Sequence, residues 1–128
     1  MSIRKGDTLI AGSKLDRKMS WTTKIDITAD MIRSGYRFPE DGTIVLMVRN
    51  EHNPPPSGKD YNLFIDIICD NVSTEIARLY TKFSTGAYRP VNIQMTVNKD
   101  DQITVRKNDG NVNNLTVTFG YFIPWKAE

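Results

Sequence analysis

Apolar and polar residues alternate with a period of two in several segments of this 128-residue chain. In residues 21–28 (WTTKIDIT) and 91–98 (VNIQMTVN), every second position is mostly apolar, and the positions between them are mostly polar. Successive side chains of a β-strand point to opposite faces, so this pattern predicts strands with one buried and one exposed face.

The C-terminal third of the chain predicts three consecutive antiparallel strands. The turn sequence NKDD separates 91–98 from QITVRK at 102–107, which predicts a hairpin over residues 91–107. A second turn, NDGN, tolerates positive φ and leads into the strand NLTVTFGYFI, which Pro124 is expected to end. Alternation places five residues of this strand on one face: Leu115, Val117, Phe119, Tyr121 and Ile123.

The middle of the chain predicts two central strands. GTIVLMVRN (42–50) and YNLFIDIICDN (61–71) are nearly continuous apolar runs, typical of strands covered on both faces. EHNPPPSGKD (51–60) contains three successive prolines and is predicted to be an exposed loop. STEIARLYTKFS (73–84) fits a helix or a strand, and its position and its Thr and Tyr content favour a strand.

One short helical turn is predicted at residues 29–34. Thr28 is suited to the N-terminal cap, and Gly35 stands where a C-terminal cap belongs. Together these elements predict an all-β fold, an antiparallel, jelly-roll-like β-sandwich of seven to eight strands. A chain of this length suits one domain, and we expect residues 21–128 to form it, preceded by a basic N-terminal arm at 1–20.

The charge of the chain is concentrated in its first residues. Residues 1–24 contain six basic and two acidic side chains, whereas the whole chain has a formal net charge of only +2. Such a small net charge does not point to nucleic acid or a membrane as the partner, and no apolar run has the length of a membrane span. The N-terminus also lacks the apolar segment of a secretory signal, so we expect folding in a reducing cytoplasm.

Residues suited to catalysis or to metal binding are few. Cys69 is the only cysteine and is predicted to be a buried strand residue, and His52, the only histidine, lies in the proline-rich loop. Asp66 and Asp70 are the best candidates for a pair of catalytic carboxylates, but contact with water or with a basic partner such as Arg78 is the favoured interpretation. The turn carboxylates of Asp100, Asp101 and Asp109 could in principle bind calcium. Ordinary use in turns is the favoured interpretation, because these residues do not have the spacing of a calcium-binding loop. We therefore expect no enzyme activity, no cofactor and no metal.

Three aromatic residues are candidates for contact with a glycan or a protein partner. Tyr36 follows Gly35, Tyr88 lies in TGAYRP, and Trp125 follows Pro124, so we predict that they lie in loops or at the rim. The other aromatic residues lie in strand patterns, where core packing is the favoured interpretation.

The segment KGDTLIAG (5–12) resembles a short sequence motif found near the virion-attached end of tail-fibre and other appendage proteins of bacteriophages that infect gut bacteria. The Asn- and Thr-rich turns and the aromatic strand VTFGYFIPW are similar in style to β-rich tips and decoration domains of phage particles. Unlike a long fibre, this sequence has one domain and no repeats.

The resemblance implies a non-enzymatic virion structural protein, assembled in the host cytoplasm: a capsid decoration or head-fibre subunit, a short spike or a tail-appendage subunit. Its N-terminal arm would dock onto other virion proteins of the capsid or tail, through charges and an apolar pair: Arg4, Lys5, Leu9 and Ile10. A homo-oligomer, with a trimer favoured, is expected. The alternative function is a carbohydrate-binding module that recognises a host cell-surface glycan through its loop aromatics.

Overall fold

The fold was determined as a computed structural model, and the structure describes residues 17–19, 23–51, 61–80, 90–108 and 111–127. These residues form nine strands: β1 (Arg17–Met19), β2 (Ile25–Asp26), β3 (Tyr36–Arg37), β4 (Gly42–Asn50), β5 (Leu63–Cys69), β6 (Val72–Leu79), β7 (Val91–Val97), β8 (Gln102–Lys107) and β9 (Leu115–Ala127). One helix, α1 (Ala29–Ser34), lies between β2 and β3, and a 3₁₀ turn at Val112–Asn114 precedes β9.

The strands form two antiparallel sheets packed as a sandwich. The first sheet has the order β1-β9-β4-β7, with β2 also paired to β9, and the second has the order β3-β8-β5-β6. β1 pairs with Trp125–Ala127 and β2 with Tyr121–Phe122, so both occupy one edge of β9 as an interrupted strand. Eight strand positions result, which agrees with the predicted number.

The order of these strands is that of a jelly roll. Taken from the chain ends inward, β1 and β2 pair with β9, β3 with β8, β4 with β7, and β5 with β6. This nesting is what a long antiparallel ribbon gives when it is rolled into two sheets. The predicted jelly-roll-like sandwich is therefore confirmed.

The predicted hairpin at 91–107 is wrong. Both strands exist, but β7 pairs with β4 in the first sheet and β8 pairs with β3 and β5 in the second. The turn between them, in which Asp100 adopts φ 72°, carries the chain from one sheet to the other. Alternation shows that a strand is amphipathic but not which strand it pairs with. The prediction that the last three strands are consecutive neighbours is therefore wrong too, since β7 and β9 lie on either side of β4, and β8 lies in the other sheet.

The predicted helical turn is confirmed together with both caps. The Thr28 hydroxyl accepts a hydrogen bond from the Met31 amide, and Gly35 ends the helix in the left-handed conformation with φ 83°. A side chain at position 35 would also collide with Gln102, because its Cβ would lie 2.5 Å from Nε2. The positive φ therefore favours glycine here, and the contact with the flexible end of Gln102 is the lesser constraint.

The core lies between the inner faces of the sheets. Its centre consists of fully buried aliphatic and aromatic side chains, namely Ile32, Phe38, Ile44, Leu46, Val48, Leu63, Ile65, Ile103 and Phe122. β4 and β5 are central strands, as predicted, with β4 between β9 and β7 and β5 between β8 and β6, and β9 and β8 are interior as well. The ambiguous segment after residue 72 is strand β6 as far as Leu79.

The two ends of the sandwich differ in what they contain. At one end, the side-chain amide of Asn50 donates to the backbone carbonyls of Tyr61 and Leu79, at 2.9 and 3.2 Å. The backbone amide of Asn108 donates to the Asn62 carbonyl at the same end. We call this the loop end and define it by Asn50, Tyr61, Leu79 and Asn108. β9 runs from Leu115, beside Asn50, to the opposite end, where Arg17 pairs with Ala127. The first described residues and the last therefore lie together, far from the loop end.

Candidate functional site

Most of the residues predicted to dock or to bind lie outside the described part of the chain. This holds for the four residues of the arm and for one of the three aromatic candidates: Arg4, Lys5, Leu9, Ile10 and Tyr88. His52 also lies outside the described residues. The end of the predicted arm, Arg17–Met19, forms β1 on the edge of the first sheet. The sheet thus begins before Trp21, where the sequence pattern placed the first strand.

The two described aromatic candidates are strand residues that contact the body of the sandwich. Tyr36 is half-buried in β3 with its ring edge-on to Phe38 at 5.3 Å, and burial raises the pKa of its hydroxyl. Trp125 lies in β9, which continues through Pro124, and its indole Nε1 donates to the Thr43 hydroxyl at 2.8 Å. The two belong to different sheets, so the structure does not join them into one platform.

The candidate carboxylate pair is not assembled on the strand. Asp70 lies in the β5–β6 turn with φ 51°, whereas Asp66 lies within β5 and is 3% exposed. The basic partner of Asp66 is Arg106 of β8, whose Nε lies 2.6 Å from Oδ2, rather than the predicted Arg78. Sequence reasoning missed this pair because 40 residues separate its members.

Asp66 belongs to a charged cluster on the outer face of the second sheet. Arg106 also contacts Glu75 at 3.2 Å, and Glu75 pairs with Arg78 at 3.4 Å. Both guanidinium groups lie over the ring of Phe64, with their carbons 4.4 and 5.1 Å from its centroid. The hydrogen bond to Asp66 raises the pKa of Arg106, and Glu75 acts in the same direction.

The charged cluster is electrically balanced and covers an aromatic ring. Two cations balance two carboxylates, and the two guanidinium groups lie over Phe64, which is only 8% exposed. Asp66 Oδ1 is the exception, since it is buried and accepts no hydrogen bond from the described residues. A buried acceptor without a donor lowers the free energy of unfolding. The ion pair with Arg106 therefore offsets part of the cost of burying the Asp66 carboxylate.

The β7–β8 turn uses its acidic side chain locally. Asp101 is buried, and its Oδ2 accepts from the Asn98 amide at 2.9 Å, which is ordinary turn use. A hydrogen bond with this carboxylate raises the pKa of the Cys69 thiol. Cys69 lies in a strand as predicted, but it is exposed rather than buried. It is the last residue of β5 and pairs with the exposed Val72 at the end of the β5–β6 hairpin. Asp109 lies outside the described residues, among which no group of three metal-binding side chains occurs.

A cleft of about 310 Å³ lies on the first sheet, where the chain leaves β2 for α1. We call it the β9 cleft; it is lined by two short segments, 26–29 and 117–121. Gly120 allows these segments to touch, since the Ile27 amide donates to its carbonyl at 2.9 Å and a Cβ at 120 would lie 2.6 Å from the Ile27 carbonyl oxygen. Glycine within an apolar strand is the sequence signal of such a close approach.

The aromatic residues of β9 border this cleft because the strand changes face. The β4–β9 register shifts between Met47, opposite Phe119, and Val48, opposite Val117, so Thr118 is the additional residue of a β-bulge. Beyond the bulge, Phe122 faces the core, while Phe119 is 36% exposed and Tyr121 is half-buried outside the core cluster. The single face that alternation predicted for β9 is therefore wrong.

The exposed rings form one surface. Phe119 and Tyr121 have centroids 6.1 Å apart and an angle of 19° between their planes, and the Lys24 ammonium group lies 4.2 Å from the Tyr121 centroid. Asp26 pairs with Tyr121 across the β2–β9 ladder and is exposed. A carboxylate, an ammonium group and two aromatic rings therefore lie next to one another at the β9 cleft.

Comparison of the chain with protein-family models, with curated proteins and with solved structures gave no match. Within the described residues, no helix has both the length and the apolar character needed to cross a membrane.

Proposed function

We propose that this chain is a non-enzymatic structural protein of a bacteriophage particle, a capsid decoration, head-fibre or tail-appendage subunit that docks through its N-terminal arm and displays the sandwich. The jelly roll supports this proposal by analogy, because capsid proteins and lectins use the same architecture. The resemblance at residues 5–12 supports it at the level of sequence.

The observation that carries the proposal is the placement of β1. This strand joins the edge of β9 at Trp125–Ala127, which puts its first residue, Arg17, at the end opposite Asn50 and Leu115. An arm attached to a particle from this end leaves the loop end directed outward. The basic charge of the arm favours an acidic docking surface on the capsid or tail.

The first experiment asks whether the protein is part of the particle. Phage particles carrying this gene are purified and labelled with a gold-conjugated antibody against the protein, and we expect labels at fixed positions on the capsid or tail. Absence of the protein from purified particles, measured by mass spectrometry, would exclude the proposal. Light scattering of the purified protein then gives the number of copies, for which we expect three.

The second experiment asks whether the arm docks. Particles that lack the protein are incubated with recombinant chain, and a charge-reversed arm, Arg4→Glu/Lys5→Glu, is compared with the matched control Lys99→Glu/Lys107→Glu. Lys99 and Lys107 are exposed on the sandwich, so their reversal changes the net charge equally. We expect at least tenfold weaker binding of the arm variant alone, whereas equal weakening by both variants would indicate a nonspecific charge effect.

A further inference from the structure

The Phe119 side chain is exposed without a packing role in the core. It is one of three large hydrophobic residues exposed among those described, and it is absent from the core cluster. The bulge at Thr118 turns it outward, beside a concave surface rather than on a flat strand. A ring held at the border of a cleft by a local irregularity of the strand is typical of a binding site.

The size of the β9 cleft restricts the ligand. A volume of about 310 Å³ is at the lower limit of small-molecule sites, which span about 300–1,000 Å³. A protein partner would need roughly 800 Å² of its surface in contact, far more than one such cleft offers. The geometry therefore favours a ligand of about one or two rings.

The polar groups at the cleft restrict the chemistry further. Asp26 provides a carboxylate with no hydrogen bond or ion pair to the described residues, and Thr28 and Thr118 provide hydroxyl groups in the lining. Two cations border the cleft, and both already have partners: Lys24 lies over the Tyr121 ring, and Arg49, which pairs with Glu51, donates from Nη1 to the Thr118 hydroxyl at 3.4 Å. Carboxylate and hydroxyl oxygens both accept hydrogen bonds from hydroxyl groups, and the negative charge of Asp26 disfavours an anion, which matches an uncharged ligand rich in hydroxyls.

We propose that the β9 cleft binds a neutral saccharide. The apolar C–H face of a pyranose ring packs on Phe119, and its hydroxyl groups donate to the carboxylate of Asp26 and to the hydroxyl of Thr118. Tyr121 extends the aromatic surface toward a second sugar ring. This site is distinct from the aromatic set predicted from sequence, and it does not depend on attachment of the chain to a particle.

The test uses the full chain and a defined set of probes. The purified protein is applied to an array of neutral oligosaccharides that end in glucose, galactose, mannose or N-acetylglucosamine, with sialylated and sulfated glycans on the same array. The best-bound neutral glycan is then titrated by calorimetry. We expect binding to neutral glycans, at least tenfold weaker binding by Phe119→Leu, and a three- to tenfold loss in Asp26→Asn.

Two controls separate binding from folding. Phe119→Leu retains an apolar side chain, and Phe119→Tyr retains the ring and is expected to restore affinity to within threefold of wild type. Val72→Ala, at another exposed apolar position, is expected to bind as wild type does. The proposal is overturned if the array shows no neutral glycan bound, if only acidic glycans bind, or if Phe119→Leu binds with unchanged affinity. None of these results alters the particle experiments, which test attachment alone.

Discussion

Replacing Asn50 by alanine is expected to loosen the loop end of the sandwich. Asn50 ends β4, is 1% exposed, and donates from Nδ2 to the Tyr61 carbonyl at 2.9 Å and to the Leu79 carbonyl at 3.2 Å. One side chain thus joins the ends of three strands, since Tyr61 precedes β5 and Leu79 ends β6.

The magnitude follows from the two hydrogen bonds. Each contributes about 0.5–1.5 kcal/mol net, and a buried carbonyl left without a donor costs about 1–3 kcal/mol. We therefore expect Asn50→Ala to lower the free energy of unfolding by about 3 kcal/mol, which corresponds to a fall of about 10 °C in the melting temperature of a chain of this length. Asn92→Ala, at an exposed position of β7, should change the free energy of unfolding by less than about 0.5 kcal/mol.

Urea denaturation followed by circular dichroism measures both variants. An additional variant, Asn50→Asp, replaces the donor by a carboxylate that faces two carbonyl oxygens, which raises its pKa in the folded state. Its stability should therefore be greatest relative to wild type at low pH, where the carboxyl group is protonated, and should be lost as the pH rises through the folded-state pKa. If Asn50→Ala loses no more stability than Asn92→Ala, the reasoning about the loop end is wrong.

Three further predictions concern other parts of the sandwich. Gly120→Ala should lower the free energy of unfolding by about 1–3 kcal/mol, measured by urea denaturation, because the added Cβ overlaps the backbone beside the β9 cleft. Because the Asp101 carboxylate raises the pKa of the Cys69 thiol, less thiolate is present near pH 8, and Asp101→Asn should speed alkylation by iodoacetamide at that pH. Arg106→Met should lower the melting temperature at pH 7, and combining it with Asp66→Asn should recover part of the loss, since the buried carboxylate is then no longer charged; additive losses would contradict this coupling.

Sequence was sufficient for the features that depend on neighbouring residues. The caps Thr28 and Gly35 act within one helical turn, and the apolar runs at 42–50 and 61–71 identify two central strands without knowledge of their partners. The predicted burial on both faces holds for β5 from Leu63 to Ile67, whereas β4 is only half-buried at alternate positions from Val45 onward. These predictions depend on local conformation and hydrophobicity, which the sequence states directly.

Features that depend on distant residues could not be predicted in this way. The Asp66–Arg106 pair requires β5 and β8 to be adjacent, and the outward turn of Phe119 requires a bulge opposite Met47 and Val48. The same limitation placed β7 and β8 in one hairpin. Gly120 was the one local signal of the β9 cleft, because glycine in an apolar strand marks a bulge or a close backbone contact.

The position of β9 determines when the first sheet can form during synthesis. β9 lies between the N-terminal edge strands and β4, and its Trp125 contacts Thr43 across 82 residues of sequence. A nascent chain that still holds residues 115–127 in the ribosomal exit tunnel can form the local β5–β6 hairpin, but β4 then presents an unpaired edge and an uncovered apolar face. The first sheet is therefore exposed to aggregation and to chaperones until β9 emerges, and changes in β9 are expected to reduce the yield of folded protein more than changes of equal size in β6.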